Sequence, residues 1–270
     1  MDNLYKEIFC RNIGIFTESE QNKLRRSTVA IAGMGGVGGL LAERVIRLGV
    51  GRLKIADPST FEKSNLNRQF GSSISNIGQN KAEVVFTQIK DINPQAEIHY
   101  SATGITTEDD AEAFIRDCVL VVDEMDISSL SESILLQRAA RQLGIYYLFV
   151  TAIGFGALIV VFDPEGLTLE EYNNLPPNID LSNREGLNVP LDRLLPIMPS
   201  YAKDTEPDII ERIIAGERPA PTTSIGVGLA SILAVNEVMN IILGKKDIVK
   251  APNYTYIDLI DRQFIVGTVS

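Results

Sequence analysis

The β-branched run Thr28–Ala32, TVAIA, leads directly into Gly33, Gly35, Gly36, Gly38 and Gly39, and then into LLAERVIRLG, which stops at Gly49. A buried strand, a glycine turn and a helix with apolar spacing follow one another without a linker, which confines the chain to a few α/β arrangements. Gly33-Met-Gly35-Gly36-Val-Gly38 is therefore a GxGxxG in its required setting. Glycine permits the tight turn, lets backbone approach a phosphate without a Cβ, and aims the helix's first N–H groups at the anion. A second strand, 52–56, ends at Asp57, nineteen residues after Gly38, where a carboxylate can accept ribose hydroxyl hydrogen bonds. Taken by themselves, these two features favour a dinucleotide-binding dehydrogenase.

The same alternation continues downstream. Lys81 to Ile92 reads as a helix closed off by Pro94, His99 sits in a short strand, and CVLVV at 118–122 is an apolar strand ending in DEMD. A helix at 131–143 and a strand at 145–151 follow, and a short polar helix is expected at 18–26. The rhythm predicts an α/β fold: a Rossmann-like, doubly wound, mainly parallel sheet with ligands at the carboxyl ends of its strands. Strands at 254–258 and 263–266 extend it as C-terminal antiparallel strands. Between 163 and 221 lie nine of the twelve prolines, marking a long crossover with a helix inside DTEPDIIERIIAGE. Four segments result: an N-terminal helical piece 1–26, a nucleotide-binding part 27–162, the crossover 163–222, and a C-terminal helix with closing strands 223–270. The apolar run 225–243 has the length of a membrane span, but Asn236, Glu237 and Asn240 argue for a core helix capped by Gly244.

Charge and cysteine content narrow the function. With 25 Lys+Arg against 35 Asp+Glu, the 270-residue chain has a formal charge of -10, which disfavours nucleic acid as a general partner. Cys10, Cys118 and His99 are the entire Cys and His complement, too few for a tetrahedral zinc site or a disulfide framework. The start MDNLYKEIFCRN lacks the layout of a secretory signal, so a cytoplasmic protein without a membrane role is expected.

The dehydrogenase default gives way at Phe61-Glu62-Lys63-Ser64-Asn65-Leu66-Asn67-Arg68-Gln69-Phe70 and at Ile77-Gly78-Gln79-Asn80-Lys81. An amide, a guanidinium and an ammonium close behind a ribose-binding Asp suit a triphosphate, and carboxylates in Asp123-Glu124-Met125-Asp126 can hold its Mg²⁺. Each has a plain alternative: Arg68 and Lys81 as solvated charges, and Asp123 and Asp126 as caps of the next helix. With EKSNLNRQF on the page, the chain resembles the ubiquitin-activating-enzyme-like adenylyltransferases, which include ThiF, MoeB and HesA proteins. The resemblance runs from about Arg11 to Ile153 and resumes at PAPTTSIGVG.

The resemblance implies that Gly33, Gly35, Gly36 and Gly38 pack against the nucleotide and that Asp57 binds its ribose. It also implies that Asn65, Arg68, Gln69 and Lys81 line the phosphates and that Asp126 is the magnesium-binding, catalytic Asp. Arg11 matches an N-terminal arginine that reaches the γ-phosphate in the neighbouring subunit, implying a homodimer with composite sites. The implied activity is ATP- and Mg²⁺-dependent adenylation of a carboxylate, commonly the C-terminus of a ubiquitin-like or sulfur-carrier protein, or of a peptide. Three departures stand out: the family's CxxC pairs for zinc are missing, no cysteine lies in or after the crossover to take an acyl group, and Ile127 replaces the usual Asn. Close alternatives are a tRNA threonylcarbamoyladenosine dehydratase-like or peptide-natural-product-tailoring adenylating enzyme. Outside the class stand an NAD-dependent dehydrogenase, for which His99 is badly placed as proton donor, and a catalytically silent dimeric scaffold. The Gly154-Phe155-Gly156 turn either shapes an acyl channel or is a plain tight turn.

Overall fold

The computed structural model describes residues 3–181, 187, 189–214, 217–218 and 220–269. Its elements run α1 (Asn3–Phe9), α2 (Glu18–Arg26), β1 (Thr28–Ala32), α3 (Gly36–Leu48), β2 (Arg52–Ala56), α4 (Lys81–Ile92) and β3 (Glu97–Ser101). There follow α5 (Glu108–Ile115), β4 (Leu120–Asp123), α6 (Leu130–Gln142), β5 (Tyr146–Ile153) and β6 (Gly156–Phe162). The crossover holds α7 (Leu169–Tyr172), α8 (Leu191–Leu194) and α9 (Pro207–Ile214), and α10 (Ser224–Leu243), β7 (Asn253–Asp258) and β8 (Gln263–Thr268) complete the chain. Residues 182–186, 188, 215–216 and 219 of the expected crossover lie outside the described residues, as do 1–2 and 270 at the ends.

The described strands form one sheet in the order β3-β2-β1-β4-β5-β6-β7-β8. The first five pair in parallel and the last three add in antiparallel fashion, as the sequence predicts. Strand β6 is the addition to that reading. Its seven residues GALIVVF are all buried and follow β5 through a tight turn, so two strands read as one apolar stretch with a glycine turn inside. Strand order reverses between β1 and β4, and the glycine turn and the DEMD turn both leave the sheet there.

Two cores sit on opposite faces of the sheet, as the alternation of β1 requires. Val29 and Ile31 face α3, α4 and α10, whereas Ala30 and Ala32 face α5, α6 and the crossover. Helix α10 is long and apolar enough to cross a membrane by length and composition, yet half of its most apolar window is buried. Val227, Ala230, Ala234 and Val238 pack into the core with α3 and with β5 and β6, which is the core-helix arrangement. The crossover, irregular in sequence, covers the second face with Leu167, Leu175, Ile179, Val189 and Ile197.

The N-terminal piece is clamped to the far end of α3. Thr17 and Glu20 close α2 with a capping box. Tyr5, 1% exposed, donates from its hydroxyl to Gly49 O at 2.6 Å and accepts from Gln21 Nε2 at 2.9 Å. Gly49 itself ends α3 at φ 99°, where a side chain would strike Gln21 and Tyr5. Tyr5→Phe leaves the Gly49 carbonyl short of its donor. It is expected to cost about 1–2 kcal/mol, read in a thermal melt as a loss of roughly 2–6 °C; an unchanged melt would show that the clamp carries no stability.

Candidate nucleotide site

The glycines of the first turn have four different reasons to be glycine. Gly33 has φ 96° and backs onto the Glu124 carbonyl, which any Cβ would strike. A Cβ at Gly38 would collide with the Gly33 carbonyl, so the helix can leave the strand this sharply only with hydrogen there. Gly36 lets α10 approach α3, a Cβ meeting Val227 Cγ2 at 3.1 Å. Gly35 is different: its φ is -75°, and the nearest atom to a Cβ there is Gln69 Nε2 at 3.9 Å. Packing within the chain does not explain that glycine, whereas a phosphate resting on the first N–H groups of α3 does.

Asp57 is 6% exposed, and both carboxylate oxygens already hold the turn together. Oδ2 accepts from Met34 N at 2.7 Å, and Oδ1 accepts from Ser59 N at 2.8 Å and from the Ser59 hydroxyl. The expected ribose ligand is thus first a brace between β2 and the glycine turn, with remaining lone pairs for a sugar. Asn80 caps α4 by accepting from Glu83 N at 3.0 Å and donates to Asp57 O at 2.9 Å. Lys81 is thereby set at the first residue of α4 beside Asp57. Ser59 and Asn80 escaped the sequence reading as supporting residues, although Asn80 three residues before Glu83 is a legible cap signal.

Between them the chain loops out as two short turns anchored by Phe61, 1% exposed. Asn65, 7% exposed, accepts from Glu62 N at 3.0 Å through Oδ1, while its carbonyl accepts from Arg68 N at 3.1 Å and Gln69 N at 2.9 Å. Asn65 therefore shapes the turn that presents Arg68 and Gln69. Arg68 Nη1 donates to Ser64 O at 3.0 Å and to Asn67 Oδ1 at 2.9 Å, both neutral acceptors. Partial burial pushes the guanidinium's pKa below its ordinary value. Among the described residues neither Arg68 nor Lys81 forms an ion pair. Gln69 Oε1 is buried with no hydrogen-bond partner. A half-buried cation without an ion pair beside the glycine turn is matched by an anionic group, and the unsatisfied Gln69 Oε1 by a hydrogen-bond donor, which a nucleotide carries on its ribose or base.

At the end of β4, Asp123 is 1% exposed and accepts from the Tyr147 hydroxyl and from Met125 N at 2.9 Å. Burial pushes its carboxyl up, and burial plus the neighbouring Asp123 pushes Glu124 well up. Both are interior groups. Asp126 is exposed, and Oδ1 accepts from Ser128 N at 3.0 Å and Ser128 Oγ at 2.9 Å, so it does cap the turn that follows. Oδ2 stays available. Among the described residues no three His, Cys, Asp or Glu side chains are grouped so as to hold a metal, so a metal at Asp126 would take few protein ligands. Arg11 is exposed on the turn 10–12, and its neighbour Asn12 bonds Leu48 O at the far end of α3. Because α3 spans 13 residues, Arg11 lies about 20 Å from its own glycine turn and does not join that site.

Gly35 and Gly38 separate binding from folding. Gly38→Ala is expected to cost roughly 3 kcal/mol of stability. Gly35→Ala, which has room for its methyl, should cost less stability than Gly38→Ala while weakening ATP binding roughly tenfold to a hundredfold, as read by calorimetry. Equal ATP affinity in wild type and Gly35→Ala would remove the phosphate from this turn.

Comparison with known proteins agrees with this geometry. A model of the ThiF family matches residues 9–269. A tRNA threonylcarbamoyladenosine dehydratase of Bacillus subtilis is 35% identical over 118 residues, 44% of this chain and 46% of that protein. A sulfur carrier protein adenylyltransferase of Thermus thermophilus is 27% identical over 162 residues, 60% of this chain and 58% of that protein. The chain thus spans about half the length of these curated relatives. Among solved structures, PaaA has a TM-score of 0.73 at 16% identity, over 100% of this chain and 75% of that one. E. coli MccB with ATP has a TM-score of 0.71 at 16% identity, over 100% of this chain and 72% of that one. With the family match running through nearly the whole chain and the fold shared end to end, this chain belongs to the ThiF family.

Proposed function

We propose that the chain is an adenylating enzyme, using ATP and Mg²⁺ to activate the carboxylate of a small ubiquitin-like or sulfur-carrier protein or of a peptide. One observation carries the reading: the cation Arg68, the unsatisfied Gln69 and the bare Gly35 meet at the N-terminus of α3, with Lys81 opening the neighbouring helix α4. The relatives fit it, since one is a sulfur carrier protein adenylyltransferase and MccB has been solved with ATP. In the reaction a carboxylate oxygen forms a bond to the α-phosphorus, and the bond from that phosphorus to the bridging oxygen breaks. Pyrophosphate leaves with the electron pair. Two anions must meet, so the chain's work is to hold charge and geometry. Arg68 and Lys81 would neutralise the β- and γ-phosphates, and the α3 N–H groups would cradle them.

Asp126 is the residue we assign to magnesium, a metal that typically keeps its waters and takes one or two carboxylates besides the phosphates. When bound, Mg²⁺ supplies charge neutralisation at the phosphoryl oxygens. Arg11, too far from its own site, is assigned to the site of a second copy in a homodimer. The apolar side of α10 carrying Ile225 and Ile232, 51% and 53% exposed, suits such an interface. We place the enzyme in the cytoplasm.

ATP–pyrophosphate exchange with glycine-ended proteins, peptides and tRNA as acyl donors is the test. Asp126→Asn should lower exchange by roughly two to three orders of magnitude, and Arg68→Ala should weaken ATP binding roughly tenfold to a hundredfold. Undiminished exchange in Asp126→Asn would overturn the assignment. Mixing Arg11→Ala with Asp126→Asn subunits should restore about a quarter of wild-type exchange, since half the dimers are mixed and each has one intact composite site. No restoration would mean that Arg11 works in its own chain or not at all.

A further inference from the structure

At the end of the sheet opposite the nucleotide turn, where β1 and β2 begin, Asn22, Arg25, Arg26 and Arg52 line a cleft of about 410 Å³. The first three stand at i, i+3 and i+4 on α2 and so share one face of that helix, and Arg52 opens β2. Two of the guanidiniums are held from within. Arg25 stands over the Tyr5 ring, 4.7 Å from its centre, and Arg52 Nη2 donates to the Arg26 carbonyl at the end of α2. Among the described residues none of the three arginines forms an ion pair. Elsewhere the chain does pair its arginines: Arg47 with Glu43, Arg116 with Glu112 and Arg138 with Glu170. Glu97 stands across from Arg52 in the β2–β3 register, yet its Oε1 meets His99 Nε2 at 3.1 Å.

Three like charges around one hollow repel one another, and a chain of formal charge -10 leaves them without a carboxylate. Cations suit the carbonyl end of α2, and Arg52 satisfies one of its last carbonyls. That role uses one N–H, and among the described residues the guanidiniums of Arg25 and Arg26 make no hydrogen bond. Planar forks with unused N–H pairs match the oxygens of a phosphate, and a hollow suits a compact anion better than a flat protein face. We infer that this cleft is a second anion site, separate from the nucleotide turn, and that it binds a compact di- or oligophosphate. Strands β1 and β2, five residues each, run from it to the glycine turn and Asp57, so about 15 Å of sheet separates the two sites. Salt screens two anions at that distance from each other, so both sites can be filled at once. The inference goes beyond the adenylation reading and does not rest on it.

Calorimetric titration of the full chain with inorganic pyrophosphate tests the site, at fixed ionic strength and with a non-hydrolysable ATP analogue present to fill the nucleotide turn. Pyrophosphate should bind to the wild type, and Arg52→Gln should weaken it roughly tenfold or more. So should Asn22→Asp, which sets a carboxylate three and four residues before Arg25 and Arg26 and supplies the missing counter-charge from within. Such pairs favour the helix, so Asn22→Asp should melt where the wild type does, and it decides the matter if Arg52→Gln unfolds. No binding to the wild type, unchanged affinity in either folded variant, or sulfate binding as tightly as pyrophosphate overturns the inference. A short single-stranded RNA that binds more tightly than pyrophosphate, and loses that affinity in Asn22→Asp, would overturn the compact ligand in favour of a nucleic-acid backbone.

Discussion

Everything in the site hangs on one close approach, that of Gly38 to the carbonyl of Gly33. With hydrogen at Gly38, α3 starts almost on top of the strand it follows. Its positive end then sits at the reversal of strand order, where the sheet opens a crevice. The approach also fixes its neighbours. Met34 N–H, turned outward by it, is held by Asp57, and Asp57 is held by Ser59. Asn80 then ties α4 to the same strand end. One steric permission thus sets the start of α3, and Asn80 joins the start of α4, with Lys81 as its first residue, to the same strand end.

The parts of this arrangement that were legible in the sequence are those set by local rules. Strands β1 and β2 and helix α4 have the bounds their patterns predict, because β-branched runs, glycines and Pro94 mark them within a few residues. The seams were hidden. Strand β6 vanished into the apolar stretch with β5 because β6 is buried on both faces and β5 has no exposed residue, and such strands lose the period of two that separates them from their neighbours. The double duty of Asp57 was equally invisible, since its partner is a backbone N–H 23 residues away. Motifs encode the turns at the strand ends; the contacts that brace them join segments far apart in the chain.

Electrostatics follow the same division. A chain with a formal charge of -10 repels a triphosphate at long range, so under the adenylation reading binding would depend on short-range cations without internal partners. Arg68 fits that demand because its hydrogen bonds go to neutral oxygens, which orient the guanidinium without neutralising it. A carboxylate partner would have stabilised the empty site and weakened the filled one.

The two cysteines complete the chemical picture under the adenylation reading. Burial pushes the Cys118 thiol up to about 11, so at neutral pH it is almost wholly protonated and a poor nucleophile. Cys10 is exposed but sits next to Arg11, at the opposite end of α3 from its own glycine turn. Neither thiol can take an acyl group from an adenylate formed in the same chain. An activated carboxylate made here would pass to a nucleophile brought by the substrate itself or by another molecule.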